Sequence, residues 1–195
     1  MRLRLASFAS DVLNPLLLSL VAIVLMSLGT TDSTSGALIL SLVTIATGLL
    51  PVYLLALYLV KSGRMDSVFN NTRRQRRGLY LAGIVSVLAA MLVLWLMDAP
   101  TEMLATLTTV LAAGVIFLVI NTWWKISIHA AFAMGVAALL TFLYGWLAVL
   151  VALPLVPLIA WSRIELGQHT LGQVIAGALL AVFIQLTVFF FFDLY

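Results

Sequence analysis

The sequence has 195 residues, of which 64% are apolar or aromatic and only 9% are charged. A water-soluble domain of this size could not cover itself with so few polar side chains, so the surrounding medium is lipid. The formal net charge is +3. A small basic surplus beside apolar spans is ordinary for membrane proteins, so no nucleic-acid partner is indicated. Cysteine is absent, which excludes disulfides, thiolate nucleophiles and zinc–sulfur sites.

Long apolar stretches separated by turn or charged residues predict an all-α, polytopic membrane bundle of six to seven transmembrane helices. The expected spans lie near Val12–Leu28, Ala37–Val60, Leu79–Met97, Met103–Ile120, Ile126–Leu143, Gly145–Trp161 and Thr170–Phe192. The fifth and sixth spans are joined only by Tyr144-Gly145, which predicts a tight antiparallel hairpin. Because the spans leave no room for a soluble domain, residues 1–195 are expected to form a single transmembrane domain.

The positive charges predict the orientation of the bundle. When the chain is traced through seven crossings, all ten lysines and arginines fall on the side that holds the N-terminus. When the candidate ligands are left out of the count, this side still holds four positive residues and the other side none. The four are Arg2, Arg4, Lys61 and Arg64. By the positive-inside rule this side is cytoplasmic. The expectation is therefore a multi-pass protein of the cell membrane whose polar clusters face the cytoplasm.

Three polar clusters return to that side, and each also has a purely structural interpretation. They are Asn70–Arg77 before the third span, Lys125–His129 at the start of the fifth, and Ser162–Thr170 followed by Gln173 between the sixth and seventh. A basic loop can fix topology or bind anionic headgroups. A lysine can snorkel, and a serine can cap a helix. Ionisable groups at the membrane boundary, however, usually form an ion pair or serve a function.

The chemistry of the clusters favours an anionic ligand. Both histidines of the chain, His129 and His169, lie near helix starts among lysine and arginine, with few carboxylates nearby. Phosphoryl transfer needs donors around the phosphate oxygens, a nucleophile in line with the bond that breaks, and an acid for the leaving oxygen. Glu165 is interpreted as an ion-pair partner of an arginine rather than as a catalyst. No metal or other cofactor is predicted, since two-metal chemistry needs more carboxylates than this side of the protein holds.

The motif Ser162-Arg163, five residues and then His169, preceded by Ser127-x-His129, resembles the type 2 phosphatidic acid phosphatase superfamily. The resemblance covers a phosphatase-like core from about residue 64 to residue 195. It implies that His169 is a nucleophile forming a phosphohistidine and that His129 protonates the leaving oxygen. It also implies that Arg163 binds phosphate oxygens, and Ser127 matches the serine of the second signature.

The sequence departs from the family pattern at several positions. The first signature resembles a variant Arg-x-x-Arg form through Arg73 and Arg76, and Lys125 is the candidate for the missing lysine. The second signature lacks its proline and glycine. Gln173 occupies the place of the aspartate that orients the nucleophilic histidine. An amide oxygen can accept the imidazole N–H and fix its tautomer, but it stabilises imidazolium charge less than a carboxylate does.

Three functions remain open from the sequence. The first is a metal-independent phosphatase of a lipid phosphomonoester or pyrophosphate, such as phosphatidate or a polyprenyl phosphate. The second is a catalytically weak relative that binds or moves anionic lipids, and the third is a transferase of phosphoryl or headgroups. The expected partners are a lipid phosphate substrate and membrane lipids, with the number of chains in the assembly left open.

Overall fold

A computed structural model describes residues 1–69 and 72–194, and this part of the chain forms ten α-helices and no β-strand. The helices are α1 (Arg2–Val12), α2 (Pro15–Thr30), α3 (Thr34–Thr44), α4 (Leu50–Lys61), α5 (Arg73–Leu96), α6 (Thr101–Ile120), α7 (Ile128–Tyr144), α8 (Leu147–Ala152), α9 (Leu155–Glu165) and α10 (Leu171–Phe191). A π-helical segment, Ile45–Leu49, joins α3 to α4. Within the described ranges, six helical stretches are long and apolar enough to cross a membrane, and α7 is a shorter apolar helix. The predicted all-α polytopic bundle is confirmed.

The first crossing begins earlier than its apolar pattern indicates. It extends from Arg2 to Thr30 rather than from Val12, with a break between α1 and α2. At the break the Asn14 side chain accepts a hydrogen bond from the Leu17 N–H at 3.0 Å and caps α2. The apolar pattern did not reveal α1 because it carries two arginines. The buried face of α1 consists of small residues and packs against α9.

The hairpin predicted between the fifth and sixth spans is confirmed. Helix α7 ends at Tyr144, and Gly145 follows with a φ of 76°, a left-handed conformation that glycine adopts without strain. The Tyr144 hydroxyl donates a hydrogen bond to the Leu25 carbonyl at 2.6 Å, which fixes the hairpin to α2. The hairpin returns the chain through α8 and α9 to the end of the bundle where α7 begins.

The closest approach between helices that matters for the site is between the start of α7 and the first half of α10. A Cβ atom at Gly177 would lie 2.5 Å from the Ser127 carbonyl oxygen, so only glycine fits there. The Ser127 N–H donates a hydrogen bond to the Gln173 carbonyl at 3.2 Å across the same contact. This backbone contact sets the distance between the second and third polar clusters.

Gly177→Ala is therefore expected to destabilise the protein by about 1–3 kcal/mol, because the added methyl group must push α10 away from backbone atoms. The matched control is Gly172→Ala in the same helix, where the added Cβ would meet Trp124 at an ordinary 3.9 Å. Thermal unfolding in detergent should show a lower midpoint for Gly177→Ala alone. Equal midpoints for the two variants would contradict this account of the contact.

Candidate functional site

The described part of the first polar cluster, residues 72–77, meets the second cluster at one end of the bundle, while Asn70 and Asn71 lie outside the described residues. The Arg76 guanidinium, on the first turn of α5, donates from Nη1 to the Ile126 carbonyl at 3.2 Å. The Asn121 side chain, at the end of α6, donates to the Arg73 carbonyl at 2.8 Å. These two bonds connect the start of α5 to the loop between α6 and α7.

The third cluster joins them through the same loop. Nδ1 of His169 lies 3.1 Å from the Lys125 carbonyl oxygen, and Ser127 bonds to the backbone of Gln173 as described above. The three clusters therefore lie side by side, as the tracing of the spans predicts. All the residues proposed from the sequence as ligands or catalysts are brought to this end of the bundle.

His169 is buried in the connection between α9 and α10, and its ring orientation is fixed by two acceptors. Nδ1 lies 3.1 Å from the Lys125 carbonyl and 3.1 Å from Oε1 of Gln173. Since both neighbours only accept, Nδ1 carries the proton and donates it to them. Nε2 then holds the free lone pair. That atom is buried and has no hydrogen-bond partner among the residues described.

Gln173 has a second task that explains its placement. Its Oε1 atom also accepts a hydrogen bond from the Thr170 N–H at 3.2 Å, and the Thr170 hydroxyl accepts from the Gln173 N–H at 3.4 Å. This reciprocal pair is a capping box at the start of α10. The same amide oxygen therefore begins the helix and orients the histidine that precedes it.

The surroundings keep the His169 imidazole neutral. Burial, and after it the positive charges of Arg76 and Arg163, lower the pKa of His169 to about 3, against the opposing effect of the hydrogen bond to Gln173. Its ordinary value is about 6.5. At neutral pH the Nε2 lone pair is therefore available.

This shift predicts a pH dependence of stability. Between pH 6.5 and about 3 the unfolded chain binds a proton at His169 that the folded protein does not, so folding loses stability as the pH falls through this window. The midpoint of thermal unfolding is expected to fall less steeply between pH 7.5 and 4.5 in His169→Gln than in the wild type. All other titrating groups are common to both proteins, so identical slopes would contradict the assigned shift.

Arg163, in the last turn of α9, is a buried cation whose charge acts on both His129 and His169. Its exposed fraction is 3%, and Nη1 donates to the Ser10 hydroxyl at 2.7 Å. Its Nε and Nη2 atoms are buried and find no partner in the described part of the chain. The Arg163 carbonyl accepts from the His169 N–H at 3.2 Å, so the guanidinium and the imidazole belong to one short segment. Unpaired buried donors are costly unless an acceptor arrives, which fits an anionic ligand.

The two arginines of the variant first signature are placed differently. Arg76 is 4% exposed and turned into the bundle, whereas the Arg73 side chain is exposed. Lys125 is partly buried, and its pKa is lowered by burial and then by the charges of Arg76 and Arg163. The positive charges of the site therefore come from Arg76, Arg163 and Lys125, with Arg73 at the rim.

His129 lies in the first turn of α7 and is 3% exposed. Its ring packs edge to face against Phe69 with the ring centroids 6.0 Å apart, and its Nε2 atom is buried with no partner in the ranges described. It interacts electrostatically with Arg163 and His169. The preceding Ser127 is fully buried, and its Oγ atom accepts from the Ala130 N–H at 3.4 Å. Ser127 thus caps α7, in agreement with its structural interpretation.

Two contributors were missed by the sequence analysis. Ser10 holds Arg163, and Asn121 ties the start of α5 to the second cluster while its own Oδ1 atom is buried without a partner among the described residues. In the sequence, Ser10 could have been recognised only from its helical spacing with Ala6 and Ala9, which places the three small residues on one face of α1. The interpretation of Glu165 as an ion-pair partner is confirmed, since its Oε2 lies 3.4 Å from Nη2 of Arg2.

The fold and the site together define a polytopic membrane protein with a buried, positively charged site at one end of its helices. The model of the PAP2 superfamily matches residues 121–194, which include the second and third clusters. The resemblance to type 2 phosphatidic acid phosphatases is therefore confirmed for this part of the chain. The start of the core at residue 64 remains a prediction. No curated protein and no solved structure matches the chain.

Proposed function

We propose that this protein is a metal-independent phosphatase of membrane lipids, which hydrolyses a lipid phosphomonoester or pyrophosphate through a phosphohistidine at His169. The observation that carries the proposal is the state of the His169 ring. Its Nδ1–H is held by the Lys125 carbonyl and by Gln173, and its Nε2 lone pair is buried and unpaired, within the electrostatic influence of the Arg163 guanidinium. An oriented, neutral nucleophile next to unpaired cationic donors suits attack on a phosphoryl group.

In the first step Nε2 of His169 attacks phosphorus, forming the N–P bond while the P–O bond to the leaving group breaks. The guanidinium groups of Arg76 and Arg163 and the ammonium of Lys125 neutralise the charge on the equatorial oxygens. Ser127 stands at the start of α7, where the N-terminal end of the helix favours negative charge. Arg73, at the rim, attracts the anion.

His129 donates a proton to the leaving oxygen as the P–O bond breaks. A water molecule then attacks phosphorus, its proton passes to His129, and the N–P bond breaks to release phosphate and the free imidazole. Gln173 keeps the Nδ1 proton of the nucleophile in place through both steps. Because its amide oxygen carries no full charge, it stabilises the charged imidazole less than an aspartate in the same place.

The lipid nature of the substrate is supported by the position of the site at the end of membrane-spanning helices. A phosphate headgroup can enter such a site while its tail stays in hydrocarbon. The excess of lysine and arginine on this side supports a site on the cytoplasmic face of the cell membrane. A single cysteine introduced at Gly63 should therefore react with an impermeant reagent only after the cells are opened.

The proposal predicts release of inorganic phosphate from one or more lipid phosphates by the purified protein in the presence of a chelator. Vanadate, which resembles five-coordinate phosphorus, should inhibit the reaction. Gln173→Asp should maintain or raise the rate, because it introduces a carboxylate behind the nucleophile. A rate that disappears with chelator and returns with a divalent cation would contradict the metal-independent mechanism.

A second candidate function rests on Gln173 itself. If the amide of Gln173 stabilises the charged His169 imidazole too weakly for turnover, the same site binds anionic lipids without cleaving them. Binding of lipid phosphates without release, in the wild type and in Gln173→Asp alike, would favour this second function. A phosphorylated product formed with an added alcohol acceptor would instead identify a transferase.

A further inference from the structure

Tyr80 carries a buried polar group that the proposed mechanism does not use. It lies on α5, four residues after Arg76, so the two side chains share one face of the helix. Its ring packs against the apolar cluster that contains Phe117 and Ile126. Its hydroxyl is buried and has no hydrogen-bond partner among the described residues. A buried hydroxyl is rarely left without a partner, so a bound group is expected to supply one.

The Tyr80 hydroxyl lies towards the charged end of the helix. An aromatic side chain in an α-helix points back over the preceding turn, and that turn of α5 carries Arg76. The hydroxyl interacts electrostatically with the Arg76 guanidinium, although no hydrogen bond of ordinary geometry joins the two. Arginine has donors and no acceptor, so the hydroxyl can turn only its oxygen to the guanidinium. The hydroxyl proton is therefore free for an acceptor outside this pair.

Tyr80 and Arg76 also face the same open space as His129. All three residues line one cavity inside the bundle. The guanidinium of Arg76 has five N–H donors, and the bond from Nη1 to the Ile126 carbonyl uses one of them. An anion bound by the remaining donors in this space would meet the guanidinium and the Tyr80 hydroxyl side by side.

We propose that the Tyr80 hydroxyl is a further phosphate ligand, which donates its proton to an oxygen of the phosphoryl group bound by Arg76; the inference rests on the proposed function and adds a residue to its site. The phosphate oxygen supplies the acceptor that the described residues do not. The hydroxyl is neutral, so it contributes a bond without adding to the repulsion among Arg76, Arg163 and Lys125. The positive charge beside its oxygen strengthens the O–H group as a donor.

Tyr80→Phe removes only the oxygen atom and tests this role. Without ligand, its unfolding midpoint should equal or exceed that of the wild type, because the hydroxyl has no bond to lose among the described residues. Its kcat/KM for phosphate release should fall about 10- to 100-fold, as expected for the loss of one hydrogen bond to a charged group. Its affinity for inorganic phosphate, measured by calorimetry, should fall as well.

The matched control is Tyr53→Phe. Tyr53 lies on α4 and lines the same cavity, so the two substitutions remove the same atom from the same space. Arg76 interacts electrostatically with Tyr80 and not with Tyr53. Tyr53→Phe should therefore match the wild type in unfolding midpoint, kcat/KM and affinity for phosphate.

A double-mutant comparison distinguishes a phosphate ligand from a residue that acts only by holding Arg76. The background is Arg76→Lys, which keeps the positive charge at this position. If Tyr80 contacts the phosphate itself, Tyr80→Phe weakens phosphate binding in this background as well as in the wild type. A loss that disappears in the Arg76→Lys background would mean that Tyr80 acts through Arg76 alone, and would overturn the proposal.

Two further outcomes would overturn the role of Tyr80. Wild-type kcat/KM and phosphate affinity in Tyr80→Phe would show that water takes the hydroxyl proton. A lowered unfolding midpoint with unchanged phosphate affinity would show that the hydroxyl serves stability alone. Phosphate release by the wild type tests the phosphatase whatever Tyr80 does, and if there is none, calorimetry with inorganic phosphate still decides the role of Tyr80. A wild-type protein that neither releases nor binds phosphate would overturn both proposals.

Discussion

His169→Ala is expected to abolish phosphate release from every substrate, whereas His129→Ala should retain a measurable rate. An attacking imidazole is needed for all substrates, while a general acid contributes about 10²–10⁴-fold and only where the leaving oxygen needs a proton. The loss in His129→Ala should therefore shrink for an aryl phosphate, whose leaving group departs without protonation. Release of phosphate under steady-state conditions measures both effects.

The pair of variants also contains its own control. Each residue is buried, so each substitution is checked by thermal unfolding before its rate is compared with that of the wild type. A His169→Ala protein that folds and still releases phosphate at the wild-type rate would remove His169 from the role of nucleophile. An equal loss in His129→Ala for aryl and alkyl leaving groups would remove His129 from the role of acid.

Arg163→Ala is expected to lower kcat/KM by about 10²–10³-fold, because it removes a buried guanidinium that has two unpaired donor atoms and whose charge acts on both histidines. Ser10→Ala should lower kcat/KM by about tenfold, since Ser10 accepts a hydrogen bond from Nη1 and acts by holding the guanidinium in place. Ser10 is a positioning residue in this account. Ser10→Thr, which keeps the hydroxyl, should restore most of the activity.

The control for Ser10 is Ser7→Ala on the same helix. Ser7 is exposed and donates a hydrogen bond to Asp11 at 3.2 Å, whereas Ser10 accepts one from Arg163. Its loss should leave both KM and kcat unchanged. A Ser10→Ala protein with wild-type kinetics but a lowered unfolding midpoint would show that the bond to Arg163 serves stability alone.

The fold was largely predictable because lipid imposes a simple rule: every backbone group must be satisfied within a helix, so apolar stretches mark the spans. The hairpin at Gly145 followed from the absence of any longer connection. Helix α1 was not predicted to this extent because Arg2 and Arg4 interrupt its apolar pattern. Its stability comes from packing against α9, which no local pattern shows.

The site was predictable in its composition but not in its detailed contacts. Spacing could bring Arg73 and Arg76 to the same helix start, yet only the three-dimensional packing turns Arg76 inwards and leaves Arg73 exposed. Ser10 and Arg163 are 153 residues apart in the chain, so their hydrogen bond is invisible to motif spacing. The double role of Gln173, as helix cap and as partner of His169, likewise depends on the loop geometry.

The proposed mechanism requires a covalent phosphoryl intermediate on His169, which can be trapped and located. The purified protein would be mixed with a lipid phosphate carrying labelled phosphorus, quenched with base within one turnover, and digested for peptide mapping. A phosphoramidate that is stable in base, labile in acid and located on His169 is the predicted result. Release of labelled phosphate at the normal rate with no label on His169 at any quench time, or with the label on another residue, would contradict the account.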